Sequence, residues 1–169
     1  MSLPSVESLI ENLAQALTPY FSSQSLPIIV GIETGGAWIA ERLQQRIAPE
    51  AELGQLNISF YRDDFTRIGL HPTVKPSSLP TDIDNKTIIL VDDVLHSGRT
   101  VRAAMNEIFD YGRPKRIVLA ILIDRGEREI PIQADVVGES MELDSASHIK
   151  LEGPDPLRLV IKILGDNDE

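Results

Sequence analysis

The 169-residue chain has no cysteine. That excludes a disulfide framework, a thiol nucleophile and a thiolate zinc site. Positive charge is also short: 16 Lys and Arg against 26 Asp and Glu leave a net charge of −10. Nucleic-acid binders usually carry a basic footprint, so any such role would rest on a local patch. Long apolar runs are missing as well. None approaches the ~20 residues of a membrane span, and no basic segment precedes an apolar one at the N-terminus. A cytoplasmic protein with no membrane partner is the expectation. What is present, 42% apolar and 25% charged residues, has the balance of a globular chain. The length suits a single domain over residues 1–169 with a real core.

The pattern centres on Thr87–Thr100, TIILVDDVLHSGRT. Ile88 to Val91 reads as a strand buried on both faces, ending in Asp92 and Asp93. The turn residues His96, Ser97 and Gly98 follow, and a helical pattern opens at Arg99 and runs to Tyr111. In open α/β sheets ligands bind beyond the carboxyl ends of strands. Amides from Ser97 to Thr100, at the positive end of a helix, suit a phosphate. Gly98 permits close approach of an anion, and the hydroxyls of Ser97 and Thr100 add donors. Asp92 and Asp93 could accept hydrogen bonds from sugar hydroxyls or help hold a hydrated metal beside phosphates. A diol at one end and a phosphate at the other describe a ribose 5-phosphate.

Other segments fit the same α/β alternation. Ser5–Leu17 predicts an amphipathic helix with Val6, Leu9, Ile10, Leu13 and Leu17 inward. Pro27–Ile32 predicts a buried strand that runs into Glu33, Thr34, Gly35 and Gly36, with a helix from about Ala37. That junction reads either as a second anion trap or as a tight turn that uses glycine only for its backbone freedom. Leu56–Tyr61 alternates like a strand with one polar face and ends in Arg62, Asp63 and Asp64. Residues 65–84 hold Pro72, Pro76 and Pro80 and no period. Arg116–Ile123 predicts another buried strand, emptying into Asp124–Arg128. Ala134–Val137, Ile149–Leu151 and Leu157–Ile163 are further strand candidates, and Asp166–Glu169 an acidic solvated tail. His71 and His148 have no ligand spacing, and no protein-built metal site is expected.

Ile88–Thr100 resembles the phosphoribosyl diphosphate (PRPP) signature of type I phosphoribosyltransferases: hydrophobic residues, two acids, then a small-residue loop closed by Gly-Arg-Thr. The likeness extends through Thr100-Val-Arg-Ala-Ala, Tyr111-Gly-Arg-Pro and Leu122–Ile132. With Phe60–Asp64 it resembles one branch over about residues 26 to 140, the PyrR family of pyrimidine operon attenuator/uracil phosphoribosyltransferase proteins. The resemblance implies an α/β type I phosphoribosyltransferase fold. Its central, mostly parallel sheet is flanked by helices, with a flexible β-arm at 65–84 and a small base-binding hood at 124–140. Uracil-facing backbone is expected near Asp135–Gly138.

The implied reaction makes UMP and diphosphate from uracil and PRPP, with Mg²⁺ bound through PRPP. Asp92 and Asp93 would be catalytic, and Leu95, His96, Ser97, Gly98, Arg99 and Thr100 would form the 5-phosphate loop. Glu33, Thr34, Gly35 and Gly36 would form the pyrophosphate loop, with Arg62 and Arg125 reaching in from arm and hood. For Arg125 a salt bridge to Asp63, Asp64 or Asp124 is the competing expectation. His96 is read equally as a phosphate neighbour and as a shape filler. The resemblance also implies a homodimer or larger homo-oligomer. Its other activity is that of a UMP- or PRPP-sensing regulator that binds pyrimidine-operon mRNA. The chain departs from relatives' Gly-Ile-Lys-Thr-Arg-Gly by carrying Glu33 and Gly35. A third reading is a response-regulator receiver, with paired acids at a strand end. The Ser-Gly-Arg-Thr that follows and the missing partner lysine argue against it.

Overall fold

The structure, a computed structural model, describes residues 2–22, 24–58, 77–80 and 82–165. Five parallel strands form its centre in the order β2-β1-β3-β4-β5. They are β1 (Ile28–Ile32), β2 (Leu53–Leu56), β3 (Thr87–Leu95), β4 (Arg116–Asp124) and β5 (Val136–Ser140). A parallel sheet must be covered on both faces, and near-continuous apolar strands make that possible. Ile89 and Val91 of β3 join Val118, Ala120 and Leu122 of β4 under α1 (Val6–Leu17) and α2 (Gly35–Ile47). Ile88 and Leu90 join Leu119 and Ile121 under α3 (Arg99–Tyr111). Each fully buried Ile or Leu contributes about 1.5–3 kcal/mol of transfer free energy.

A second, two-stranded antiparallel sheet pairs β6 (Ser147–Glu152) with β7 (Arg158–Ile163). Ile149, Leu151 and Leu159 seat this hairpin on the α1–α2 side of the core. Its turn is tied down by Arg42 Nη2, which donates to Pro154 O at 2.9 Å. A Cβ on Gly153 would lie 3.1 Å from the Trp38 ring, so the turn rests directly on α2.

The topology makes the crevice. From β1 the chain crosses to β2 on one side, then returns past β1 to β3 on the other. Strand order therefore reverses between β1 and β3, and their carboxyl ends open a cleft. Beyond Gly31↔Val91 β1 no longer pairs with β3, while β4 goes on pairing through Val94↔Ile123 and Leu95↔Asp124. So β3 does not end at Val91, as its apolar run suggests. It carries both acids within the strand.

Other boundaries also differ from the sequence reading. β2 covers Leu53–Leu56 rather than Leu56–Tyr61, because Leu53 to Leu56 take the register opposite Ile29 to Ile32. Residues 59–61 lie outside the described residues, as do Asp63, Asp64, His71 and most of 65–84. Within that last stretch Ser78 and Gln55 exchange backbone hydrogen bonds of 2.8 Å. Val136–Ser140 lies two residues beyond the expected start of its strand. Gly112 closes α3 with an extended φ of 169°. It is glycine for space: a Cβ would meet Asp84 Oδ1 at 2.7 Å. Among the described residues no helix is long and apolar enough to cross a membrane.

Candidate active site

The cleft between β1 and β3 opens into a cavity of about 640 Å³, a size typical of small-molecule sites. Glu33 and Thr34 line it from the β1–α2 loop, Gly35 from the start of α2, Asp92, Asp93 and Val94 from β3, and Thr100 from α3. Trp38 and Asn57 add to the walls, and Ile149, Lys150 and Leu151 of β6 close the far side.

The two acids are fixed by their own backbone. Asp92, 5% exposed, accepts the Asp93 amide at 2.9 Å, and Asp93 accepts the Val94 amide at 2.9 Å. Neighbours on a strand project to opposite faces, so the pair spans the sheet end. Asp93 lies over Gly35, where any Cβ would fall within 3.0 Å of its carboxylate. A Cβ on Gly36 would likewise strike Val91 O, and one on Gly31 would lie 2.5 Å from Ala37 Cα. These three glycines let the start of α2 sit on the strand ends. The Glu33–Thr34 peptide bond is cis.

The 95–100 segment forms a cup at the start of α3. Gly98 is left-handed, with φ 91°, a conformation glycine adopts without steric cost. Ser97 Oγ accepts the Arg99 amide at 3.2 Å, and the Arg102 amide bonds Gly98 O at 3.0 Å. Thr100 lines the cavity. His96 does not: its exposed ring places Nε2 3.3 Å from Glu127 Oε2. Leu95 is buried against α3 and offers only its carbonyl, to the Arg125 amide at 3.0 Å. Arg99 Nε donates to Glu129 at 2.6 Å.

Arg125 lies behind this cup rather than in the cavity. Its guanidinium, 5% exposed, donates to Ser147 O at 3.1 Å and lies 3.5 Å from Glu127. Asp124 is taken by Arg128 at 2.6 Å. Burial pushes the Asp124 carboxyl up, but hydrogen bonds from Arg128 and the Gly126 amide, with the Arg128 charge, outweigh it. The carboxyl is held below its ordinary 3.8. Asp135 accepts the Leu119 amide at 2.8 Å, and Val136–Gly138 lie in β5 at the sheet edge, away from the cavity lining. Arg62 lies outside the described residues.

The structure thus brings Glu33, Thr34, Gly35, Asp92, Asp93 and Thr100 to one cavity. Gly36 underlies it, while the side chains of His96, Arg99 and Arg125 lie outside its lining, against Glu127, Glu129 and Ser147 O. The sequence reading missed Val94, Asn57, Trp38 and the β6 wall. Asn57 carried a weak signal as a polar-face residue, whereas β6 carried none. Among the described residues no cluster of three or more His, Cys, Asp or Glu has a metal-holding arrangement. The carboxylates are hard oxygen donors, suited to magnesium carried by a phosphate ligand.

Comparison with known proteins agrees with this geometry. The family model for the phosphoribosyl transferase domain matches residues 2–154. The bifunctional protein PyrR of Nitrosococcus oceani is 52% identical over 163 residues, 94% of this chain and 92% of that protein. The PyrR of Pseudomonas aeruginosa is 49% identical over 166 residues, 97% and 98% of the two chains. Among solved structures, a hypoxanthine-guanine phosphoribosyltransferase from Bacillus anthracis superimposes with a TM-score of 0.66. It is 21% identical over 83% of each chain, a likeness of fold. The chain belongs to the type I phosphoribosyltransferase family and, within it, to the PyrR proteins.

Proposed function

We propose that this pentosyltransferase carries ribose 5-phosphate from PRPP to uracil, giving UMP and diphosphate, with residues 1–169 acting as one catalytic domain. The carrying observation is the joining of Asp92, Asp93 and Thr100 in one cavity at the strand-order reversal. The cup from Leu95 to Thr100 takes the 5-phosphate on amides at the start of α3. Asp92 and Asp93 hold the ribose hydroxyls and favour positive charge growing at C1. There the bond to diphosphate breaks, the bond to uracil N1 forms and the N1 proton is released. Glu33 to Gly36 face the departing diphosphate, and the backbone of β6 offers the base its far wall. Asp92 and Asp93, as hard oxygen donors, would hold the hydrated magnesium that PRPP brings, which would supply charge neutralisation for the diphosphate. The protein supplies orientation and water exclusion, without a nucleophile of its own. A homodimer or larger homo-oligomer is part of this proposal.

Purified protein given uracil, PRPP and Mg²⁺ is expected to form UMP. The Asp92→Asn/Asp93→Asn variant is expected to lose about 100-fold or more in rate. A wild-type rate no higher than that of the variant removes the reading.

The relatives' description as bifunctional supports a second activity, pyrimidine-sensitive binding of operon mRNA. Charge weighs against strong affinity. The net charge is −10, and Arg99, Arg125 and Arg128 pair with Glu129, Glu127 and Asp124. A low-salt gel shift with no UMP-dependent retardation discards this role.

A further inference from the structure

We propose that Arg125 is a positioning residue that ties the phosphate cup to the opposite wall of the cavity, so that filling the cup sets the place of β6 against the base. The identity of the two ligand ends rests on the transferase reading above; the linkage rests on the contacts themselves.

Residues 125–132 form a strap across the back of the cup. The Arg125 amide takes Leu95 O at 3.0 Å, and Arg128 Nη1 takes His96 O at 3.0 Å. The amides of Glu129 and Ile130 take Ser97 O at 3.0 and 3.2 Å. Three successive carbonyls of the cup are therefore bonded to the strap. Gly98 also packs closely on the strap, since a Cβ there would lie 3.0–3.1 Å from Ile130 and Ile132. A shift of the cup drags the strap with it.

The strap reaches the hairpin through one buried side chain. Arg125, 6% exposed, crosses to Ser147 O, the first residue of β6. Ile149, Lys150 and Leu151 of that strand line the cavity with Asp92 and Asp93. Glu127 fixes the direction of the guanidinium. With φ 73° at Gly126 and 58° at Glu127, the chain curls back, placing one carboxylate 3.5 Å from Arg125 and 3.3 Å from His96. A non-glycine residue with positive φ persists only where its surroundings enforce it.

The Arg125 Nε–H is buried and has no partner among the described residues. A buried charge with a donor left over is a poor stability device. It suits a side chain chosen for the span of its planar fork, which lysine does not reproduce. The cup and β6 are thereby coupled, and coupling is reciprocal: a ligand that orders one end raises affinity at the other.

The test uses the intact chain and its single tryptophan. Trp38 touches the hairpin turn at Gly153 and lines the cavity, so its emission reports the position of the hairpin. Uracil binding is measured by calorimetry with and without saturating ribose 5-phosphate, while Trp38 emission follows the ribose 5-phosphate titration. In the wild type ribose 5-phosphate is expected to tighten uracil about fivefold or more and to shift the emission. Arg125→Lys is expected to bind ribose 5-phosphate within about twofold of wild type, with the uracil enhancement reduced to about one and the shift lost. Glu127→Gln, which keeps the arginine, is expected to fall between the two and serves if the lysine variant does not fold.

An enhancement retained in both variants overturns the proposal, as does a wild-type enhancement of one. Equal loss of ribose 5-phosphate binding and of the enhancement in Arg125→Lys makes the residue a simple brace of the cup, which also overturns it. Failure of the wild type to bind ribose 5-phosphate at all overturns the cup itself, and the transferase reading with it.

Discussion

The β1–α2 and β3–α3 junctions are built alike and charged differently. Each runs from a buried parallel strand through a short loop into a 13-residue helix, with glycine at the helix start or just before it. At β3–α3 the loop carbonyls are taken by the strap, and the nearby acid Glu129 is paired with Arg99. The amides at the helix start stay matched to an anion. At β1–α2 the half-buried Glu33 lines the cavity and the Asp93 carboxylate lies over Gly35. There the positive end of the helix already has carboxylates beside it. A strand–loop–helix turn is thus only the frame of an anion site. The side chains around the helix start decide whether it holds a bare phosphate or a phosphate that brings its own cation.

Substitution of the glycines gives the largest expected effect. Gly36→Ala would drive a methyl group into the backbone oxygen of Val91, which cannot swing aside. About 3 kcal/mol of stability should be lost. Gly98→Ala meets side-chain carbons of Ile130 and Ile132 that can yield, and adds the cost of φ 91°. About 1–2 kcal/mol is expected there. Urea melts of both variants rank the two junctions. If Gly98→Ala is the more damaging, the β1–α2 glycines are not set by close packing and the contrast fails.

Charge is tested next, at Glu33. In the proposed reaction Glu33 faces the diphosphate, and a carboxylate so placed would be repelled through a partly aqueous cavity, a repulsion that salt weakens. Glu33→Gln is expected to lower the KM for PRPP about three- to tenfold at low salt and to leave the KM for uracil unchanged. The advantage should shrink as salt rises. A higher KM for PRPP would give Glu33 a positive role, as a contact for hydrated magnesium, and would sharpen the contrast in the opposite direction.

How much of this could be read from residues alone follows from how local each feature is. The β3–α3 junction was legible because its apolar run, acids, small-residue loop and helix start are contiguous. The end of β3 was not, because β4 keeps pairing with it after β1 has stopped, and pairing leaves no mark in the composition of β3. The β6 wall lies some fifty residues from the acids and reaches them only by tertiary packing. Arg125 reads equally as a ligand contact and as a salt-bridge partner of Asp63, Asp64 or Asp124, because an arginine after a strand end has many uses. Its partner is a main-chain oxygen of Ser147, and every residue type carries one.

The smallest effect concerns the strap, which braces one junction and has no counterpart among the described residues at the other. Asp124 holds Arg128, which in turn holds His96 O. The folded carboxyl is held below 3.8, chiefly against the opposing pull of burial, by the Arg128 and Gly126 hydrogen bonds and the Arg128 charge. A depressed folded pKa gives stability that is present above the unfolded value and lost as pH falls through the folded one. Asp124→Asn should therefore cost about 1 kcal/mol at pH 7, where the wild-type carboxylate is charged. As the pH falls below 3.8 and on through the depressed folded value, the wild type progressively loses the same contribution, and the two urea midpoints converge. A gap that stays constant from pH 7 downward would mean that shape rather than charge joins Asp124 to Arg128. The brace behind the cup would then be indifferent to acid, and both junctions would respond alike to falling pH.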